Sequence, residues 1–424
     1  MKTKLNTFIS ILFAVILLTS FCRNSFCALK GGVAKVNITP PVGLCWAFND
    51  TPMVDIADDL YAKAMVLNDG NTTIAIVATD LLWVPANMTA EIRRIVKEKT
   101  GISGSNVLIS ASHTHYVPKN YARHITAALL DSPYVKTLME QIAGAVFIAH
   151  KNMNGVKIGA GKGEVSEIIY NRRTKRADGS TVINFSLPPD TTGIIFGPKD
   201  PEVGVIRVED EQGNIVASMM NFACHPTSAG YGNYSYLYSA DYPGYAMKVV
   251  EQIEGGICLF TLGAAGDIVV IERGLKQRRQ IGTAIGSEAL RRLQRTRTSD
   301  NVSLKVAQKF IRLPLKDKLP TKYILFDDVT QKYLTTEIQA FSIGDIFILG
   351  LPGEILVEIG LDIKKQFGEK NLFVVSLSND IVGYVCHSAA YDEGKYEPDE
   401  GTNLAKGSGE IMINEALELL NNIR

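Results

Sequence analysis

The run Thr73-Ile74-Ala75-Ile76-Val77-Ala78-Thr79 is followed by the amphipathic stretch Met88 to Lys99, by Gly101, and by Asn106-Val107-Leu108-Ile109-Ser110. The first and last runs are short, apolar and rich in β-branched residues, which is the composition of buried strands. The middle stretch repeats its apolar residues at helical spacing and stops at a glycine. Strand, helix and strand in this order form a βαβ unit with two parallel strands side by side. The unit predicts an α/β fold, a mixed β-sheet core flanked by helices, with a site at the carboxyl-terminal ends of the strands.

Directly beyond the second strand stand Ser112-His113-Thr114-His115 and then Pro118. The chain has six histidines in 424 residues, so two of them one residue apart at a strand end draw attention. Imidazole binds zinc and titrates near neutral pH. In an extended segment residues i and i+2 share a face, so the pair lines one pocket whether or not both bind one ion. Two solvated loop histidines are the alternative that this motif alone leaves open.

Apolar runs and amphipathic stretches keep alternating. Helices are expected at Tyr134 to His150, Ala246 to Glu254, Gln277 to Gln294, Ile355 to Phe367 and Glu410 to Leu420. Strands are expected at Val203 to Glu209 and Ile215 to Phe222, a hairpin around Gln212-Gly213-Asn214, and at Cys258 to Leu262. Further strands are expected at Ser303 to Leu313, Glu337 to Ser342, Ile346 to Leu351 and Leu372 to Ser376. The basic residues Arg278, Arg279, Arg291 and Arg292 read as a solvated helix face. No tandem repeat is visible, and Leu315 to Thr321, rich in Lys and Pro, is the candidate subdomain hinge.

Lys+Arg and Asp+Glu both total 44, so the net charge is zero and nothing suggests a nucleic-acid partner. Lys2 and Lys4 precede the apolar run Phe8 to Phe21, the layout of a secretory signal peptide over residues 1–28. The mature domain, 29–424, is then exported, to the periplasm or outside the cell. Lipid attachment at Cys22 ranks second, because Phe21 before it departs from the small residue such sites use. No other segment has 18 apolar residues in a row, so no transmembrane span is expected, and peripheral contact with a membrane stays open, as does the oligomeric state. Cys45, Cys224, Cys258 and Cys386 are widely spaced with no C-x-x-C pair, which favours buried thiols over a disulfide framework or a zinc ribbon.

Other polar residues also stand at strand ends. His225 follows Met219 to Phe222, Glu354 follows Ile346 to Leu351 at the start of a helix, and Tyr384, His387, Tyr391 and Tyr396 follow Leu372 to Leu377. Each has a plain structural explanation: a core histidine, a charge complementing a helix dipole, a packing cluster. Together, histidines and a glutamate at strand ends match the N/O ligand set of a zinc site that keeps one position open for water.

At these residues the chain resembles the neutral/alkaline non-lysosomal ceramidase family. Ser112-His113-Thr114-His115-Tyr116-Val117-Pro118 is similar to its T-H-T-H-S-G-P loop, and Asn171-Arg172-Arg173-Thr174 partly matches N-R-S-P. Asn221 to Ser228, Ala240 to Ala246, Gly266-Asp267, Leu351-Pro352-Gly353-Glu354 and Ser378-Asn379 through Tyr384, Tyr391 and Tyr396-Glu397 follow in the family's order. The resemblance implies zinc held by His113, His225, Glu354 and Tyr384. It implies His115 as a proton-transfer group, with Arg172 and Tyr396 at the substrate carbonyl or oxyanion. The implied activity is zinc-dependent hydrolysis of a linear amide by attack of zinc-bound water, with an N-acylsphingosine-like lipid as leading substrate and a place in sphingolipid metabolism. Asp80, Asp241 and Asp267 are candidates to orient ligand histidines, although turn and capping roles suit each as well.

The chain also departs from the family. Val269 stands in the run that replaces the serine of G-D-V-S-P-N, so a serine nucleophile there is excluded; Tyr116-Val117 replaces Ser-Gly, and Ile381 replaces a tyrosine. The expectation is a catalytic-type domain only, without the carboxyl-terminal β-sandwich of full-length ceramidases. The alternatives are a zinc amidase or esterase on a small non-lipid substrate and a catalytically silent binding protein of the same fold.

Overall fold

The computed structural model describes residues 28–118, 132–230, 232–319 and 330–424. The βαβ unit forms as its pattern predicts: Thr73–Thr79 and Val107–Ala111 pair in parallel, joined by the helix Ala86–Thr100. Gly101 closes that helix in the left-handed region at φ 77°, where a side chain would be strained. Residues 1–27 lie outside the described part, and with them Cys22 and all but the last residue of the expected signal peptide.

This unit ends a five-stranded sheet ordered Val107–Ala111, Thr73–Thr79, Tyr61–Asn68, Lys30–Asn37, Asn154–Gly155. A second sheet runs Ile257–Leu262, Ile215–Phe222, Glu202–Glu209, Lys157–Glu164, and a third Leu304–Pro314, Tyr333–Ile343, Ile346–Gly350, Leu372–Val375. The three share one plan. In each, three strands meander antiparallel, a helix crosses over, a fourth strand pairs in parallel with the third, and a second helix follows. The crossover helices are Ala86–Thr100, Asp241–Glu254 and Val357–Phe367, and the following helices are Pro133–Lys151, Leu275–Leu293 and Ser408–Asn421. No repeat is visible in the sequence because this topology needs only the alternation of apolar strands and amphipathic helices, which many unrelated residues satisfy.

The inner faces of all three sheets meet in one core that includes Leu67, Ile76, Leu108, Ile206, Met219, Leu259, Phe341, Ile348 and Phe373. The helix pairs cover the outer faces: two pairs join a core with Ile92, Ile142, Val250 and Ile285, the third one with Ile359, Ile363, Met412 and Leu420. Sheets buried on both faces read as continuous apolar runs, which is why the strands were legible.

Four expectations need correction. Glu354 does not begin a helix: Glu354–Ile355 is a two-residue strand, and the helix starts at Val357. The helix expected from Ala246 starts at Asp241, because Pro243 is tolerated in a first turn where an N–H has no helical partner. Arg278 is buried rather than solvated, and it donates to the Ser239 hydroxyl at 2.7 Å. The segment after Val107–Ala111 is not extended at His113, whose φ is 68°.

The proposed hinge begins at Leu315, whose N–H bonds the Lys332 carbonyl, and Lys316, whose N–H bonds the Asn403 carbonyl; residues 320 and 321 lie outside the described part. Cys45, Cys224, Cys258 and Cys386 are free thiols, the last three buried. Among the described residues no helix is long and apolar enough to cross a membrane.

Candidate metal centre

One side chain from each sheet-and-helix unit reaches a common point. His113 lies just past Val107–Ala111, His225 just past Ile215–Phe222, and Glu354 just past Ile346–Gly350. Each of these strands belongs to its sheet's parallel pair, so the site collects the carboxyl-terminal edges of three sheets. All three side chains are buried.

The two imidazoles have fixed tautomers. His113 Nδ1 is 2.9 Å from the Leu82 carbonyl, and His225 Nδ1 is 2.6 Å from the Ala265 carbonyl. A carbonyl can only accept, so both Nδ1 atoms carry the hydrogen and both Nε2 lone pairs face inward. Burial holds the His225 imidazole down to about 4, so it is neutral at physiological pH.

His113 Nε2 is 3.2 Å and His225 Nε2 3.1 Å from Glu354 Oε2. These are three acceptors facing one another, an arrangement that calls for a cation between them. Ligands at about 2.0–2.1 Å from a tetrahedral ion stand about 3.3 Å apart, which matches the observed spacing. The donor set therefore fits a divalent metal.

His115 is held differently. Its Nε2 is 3.5 Å from His113 Nε2, and the three imidazoles offer nitrogens all within 4.8 Å of one another. Its Nδ1, however, is buried without a partner, so this ring lacks the carbonyl anchor that orients the other two. Phe48 packs on the ring at 4.7 Å, and burial keeps its pKa well below the usual value. His113 and His115 come together through the left-handed turn at His113, a strained conformation of the kind that collects at functional sites.

Tyr384 is locked to Glu354 by backbone pairing, since Glu354–Ile355 and Tyr384–Val385 form a parallel ladder with these two residues opposite. The Tyr384 hydroxyl accepts from Arg172 Nη2 at 3.1 Å. Arg172 Nε donates to Glu397 at 2.7 Å, and Glu397 also binds Arg173 at 2.7 Å. The Arg172 guanidinium lies over Tyr384, Tyr396 and Phe185 at 5.1–5.5 Å. All seven residues singled out in the sequence line this one cleft.

Sequence reasoning passed over Trp83, Phe48, Phe185, Thr227 and Arg273, which also line it. Trp83 had a signal, four residues beyond the strand Thr73–Thr79, and so had Thr227, two residues after His225; the others carry none, because loops far apart bring them here. Asp80, Asp241 and Asp267 do not touch the histidines. They bond the Tyr61 N–H, the Ser228 N–H, and the Asn171 amide with the Val357 N–H. Backbone carbonyls orient the rings instead.

Comparison with known proteins is consistent with this geometry. The family model for the N-terminal part of neutral/alkaline non-lysosomal ceramidases matches residues 32–259. Neutral ceramidase B of Dictyostelium discoideum is 26% identical over 203 residues, 46% of this chain and 27% of that protein. Neutral ceramidase of Mycobacterium tuberculosis is 24% identical over 219 residues, 49% of this chain and 33% of that protein. The chain thus aligns with about a third or less of these relatives' length. The crystal structure of neutral ceramidase from Pseudomonas aeruginosa superposes with a TM-score of 0.74 at 19% identity, over 94% of this chain and 75% of that one. A ceramidase complexed with C2 gives 0.71 at 18%, over 94% and 76%. With a family model spanning more than half its residues and the same mixed α/β fold, the chain belongs to the neutral/alkaline non-lysosomal ceramidase family.

Proposed function

We propose that this protein is a zinc-dependent hydrolase of linear N-acyl amides, exported by its amino-terminal leader, with an N-acylsphingosine-type lipid as leading substrate. One observation carries the reading: three buried acceptors, His113 Nε2, His225 Nε2 and Glu354 Oε2, meet at metal-ligand spacing beside two phenols and a guanidinium. His113, His225, Glu354 and Tyr384 would hold the ion, which when bound supplies a Lewis acid for the carbonyl and lowers the pKa of water.

The chain's own groups account for the rest. Hydrolysis adds the oxygen of one water to the carbonyl carbon, breaks the C–N bond and delivers a proton to the departing nitrogen. His115, neutral and with Nε2 turned toward the centre, takes the proton from water and returns it to that nitrogen. Arg172 and the Tyr396 hydroxyl donate to the oxygen on which charge develops. Glu397 fixes the guanidinium, and the stacked rings of Tyr384, Tyr396 and Phe185 exclude water around it.

Metal analysis with a turnover assay on ceramides, short N-acyl amides and esters tests this. Stoichiometric zinc with amide hydrolysis is expected. Zinc without any turnover would favour a silent binding protein, and turnover of non-lipid compounds alone would remove the lipid assignment.

A further inference from the structure

The cleft has two lobes that share Phe48, His115, Tyr384 and Tyr396. One holds His113 and Glu354 of the metal centre and, beyond them, Trp83, Ile381, Gly383 and Gly401, which offer a mainly apolar wall to a hydrocarbon chain. The other, about 200 Å³, adds Thr227, Val269, Arg172 and Arg273.

The two guanidiniums of that second lobe differ. Arg172 is neutralised by Glu397. Arg273 meets neutral oxygens, the Thr227 carbonyl and the Ser186 hydroxyl, each at 3.2 Å, and the Tyr170 hydroxyl. Among the described residues no carboxylate lies within 4.0 Å of it. Arg273 is half-buried, and its positive charge has no carboxylate partner there. Beside it the Thr227 hydroxyl is buried without a hydrogen-bond partner. A buried polar atom left unmade costs about 1–3 kcal/mol unless something bound satisfies it. An unpaired guanidinium and an orphaned hydroxyl in one lobe form a ready receptor for an anion.

We propose that Arg273, with the Thr227 hydroxyl, recognises an anionic group on the amine half of the substrate. This deepens the amidase reading above and rests on it: the acyl chain occupies the apolar lobe, the amide carbon lies at the metal centre, and the amine half enters the Arg273 lobe. Within the amidase reading, this proposal replaces the uncharged N-acylsphingosine-type lipid as favoured substrate with an N-acylated amine bearing a carboxylate, sulfonate or phosphate.

The test compares kcat/KM of the zinc-loaded protein on N-lauroylglycine, N-lauroyltaurine and N-lauroylphosphoethanolamine with that on neutral N-lauroylglycinamide and on a ceramide. At least one anionic compound should exceed the glycinamide by about tenfold or more, the value of one good charge-assisted contact. The three anions identify which group fits. Arg273→Gln should bring the ratio toward one, Arg273→Lys should keep part of it, and Thr227→Val should reduce it. As a check independent of turnover, calorimetric binding of N-lauroylglycine to the metal-free protein should weaken about tenfold in Arg273→Gln. Equal turnover of neutral and anionic amides, or a preference that survives Arg273→Gln, would overturn the proposal while leaving the amidase reading intact. Absence of all amide hydrolysis with zinc bound would overturn both.

Discussion

Glu354 and Tyr384 stand opposite each other on a parallel ladder only two residues long. Glu354 N–H bonds the Gly383 carbonyl at 2.9 Å, so backbone rather than side-chain contact sets the spacing between a carboxylate of the metal centre and the phenol beside it. Gly353, at φ 82°, makes the approach: a side chain there would meet the Gly383 carbonyl at 2.5 Å. Gly353→Ala should therefore lower zinc affinity by about tenfold or more although it removes no ligand. Calorimetric zinc titration measures this, and an unchanged affinity would detach the ladder from the metal centre.

Glu354→Gln separates metal binding from folding. In the metal-free protein Glu354 Oε2 opposes two lone pairs, so an amide that can donate to His113 or His225 should leave the melting temperature unchanged or higher. Zinc should then stabilise this variant far less than the parent. A matching zinc-induced shift in both proteins would count against Glu354 as a ligand.

His113→Ala and His225→Ala should each abolish zinc retention and hydrolysis. His115→Ala should keep most zinc and lose turnover by about 10²–10⁴-fold, the range for a lost proton-transfer group. Plasma emission spectrometry beside the amide assay reads both quantities. Loss of zinc in His115→Ala would make it a third histidine ligand.

Glu397 is fully buried between Arg172 and Arg173. Glu397→Gln leaves the buried Arg172 without its carboxylate, while Arg173 keeps Glu393 at 2.9 Å, and should cost about 3–5 kcal/mol of stability. Denaturant unfolding of the metal-free protein checks this, and a loss under 1 kcal/mol would mean that water compensates the pair.

Burial pushes the Asp80 carboxyl up to about 7. A carboxyl whose folded pKa lies above its unfolded value binds more protons when folded, so its contribution to stability falls as pH rises from about 4 to about 7. Asp80→Asn should be more stabilising at pH 8 than at pH 5, by about 2–3 kcal/mol. Melting curves of both proteins at the two pH values decide it; an equal difference at both would show that Asp80 is ionised throughout.

Strands and helices were legible because each is a local pattern, and His113, His225 and Glu354 were legible because each ends such a pattern. Pairing over long separations was not. Nothing near Arg172 announces Glu397 as its partner, and nothing near Arg278 says that a basic helix turns one arginine inward to Ser239. The helix reading of Glu354 failed because Tyr384, which arrives later in the chain, recruits it into a ladder. The extended reading of the histidine loop failed because His113 adopts a left-handed backbone held by its N–H bond to the Leu81 carbonyl. Tertiary contacts override local preference at these points, and they are the points where the site is built.

Anomalous scattering at the zinc edge from zinc-soaked crystals tests the central claim most directly. The account predicts one strong peak about 2.0–2.2 Å from His113 Nε2, His225 Nε2 and a Glu354 oxygen. A peak elsewhere, or none at saturating zinc, would contradict it.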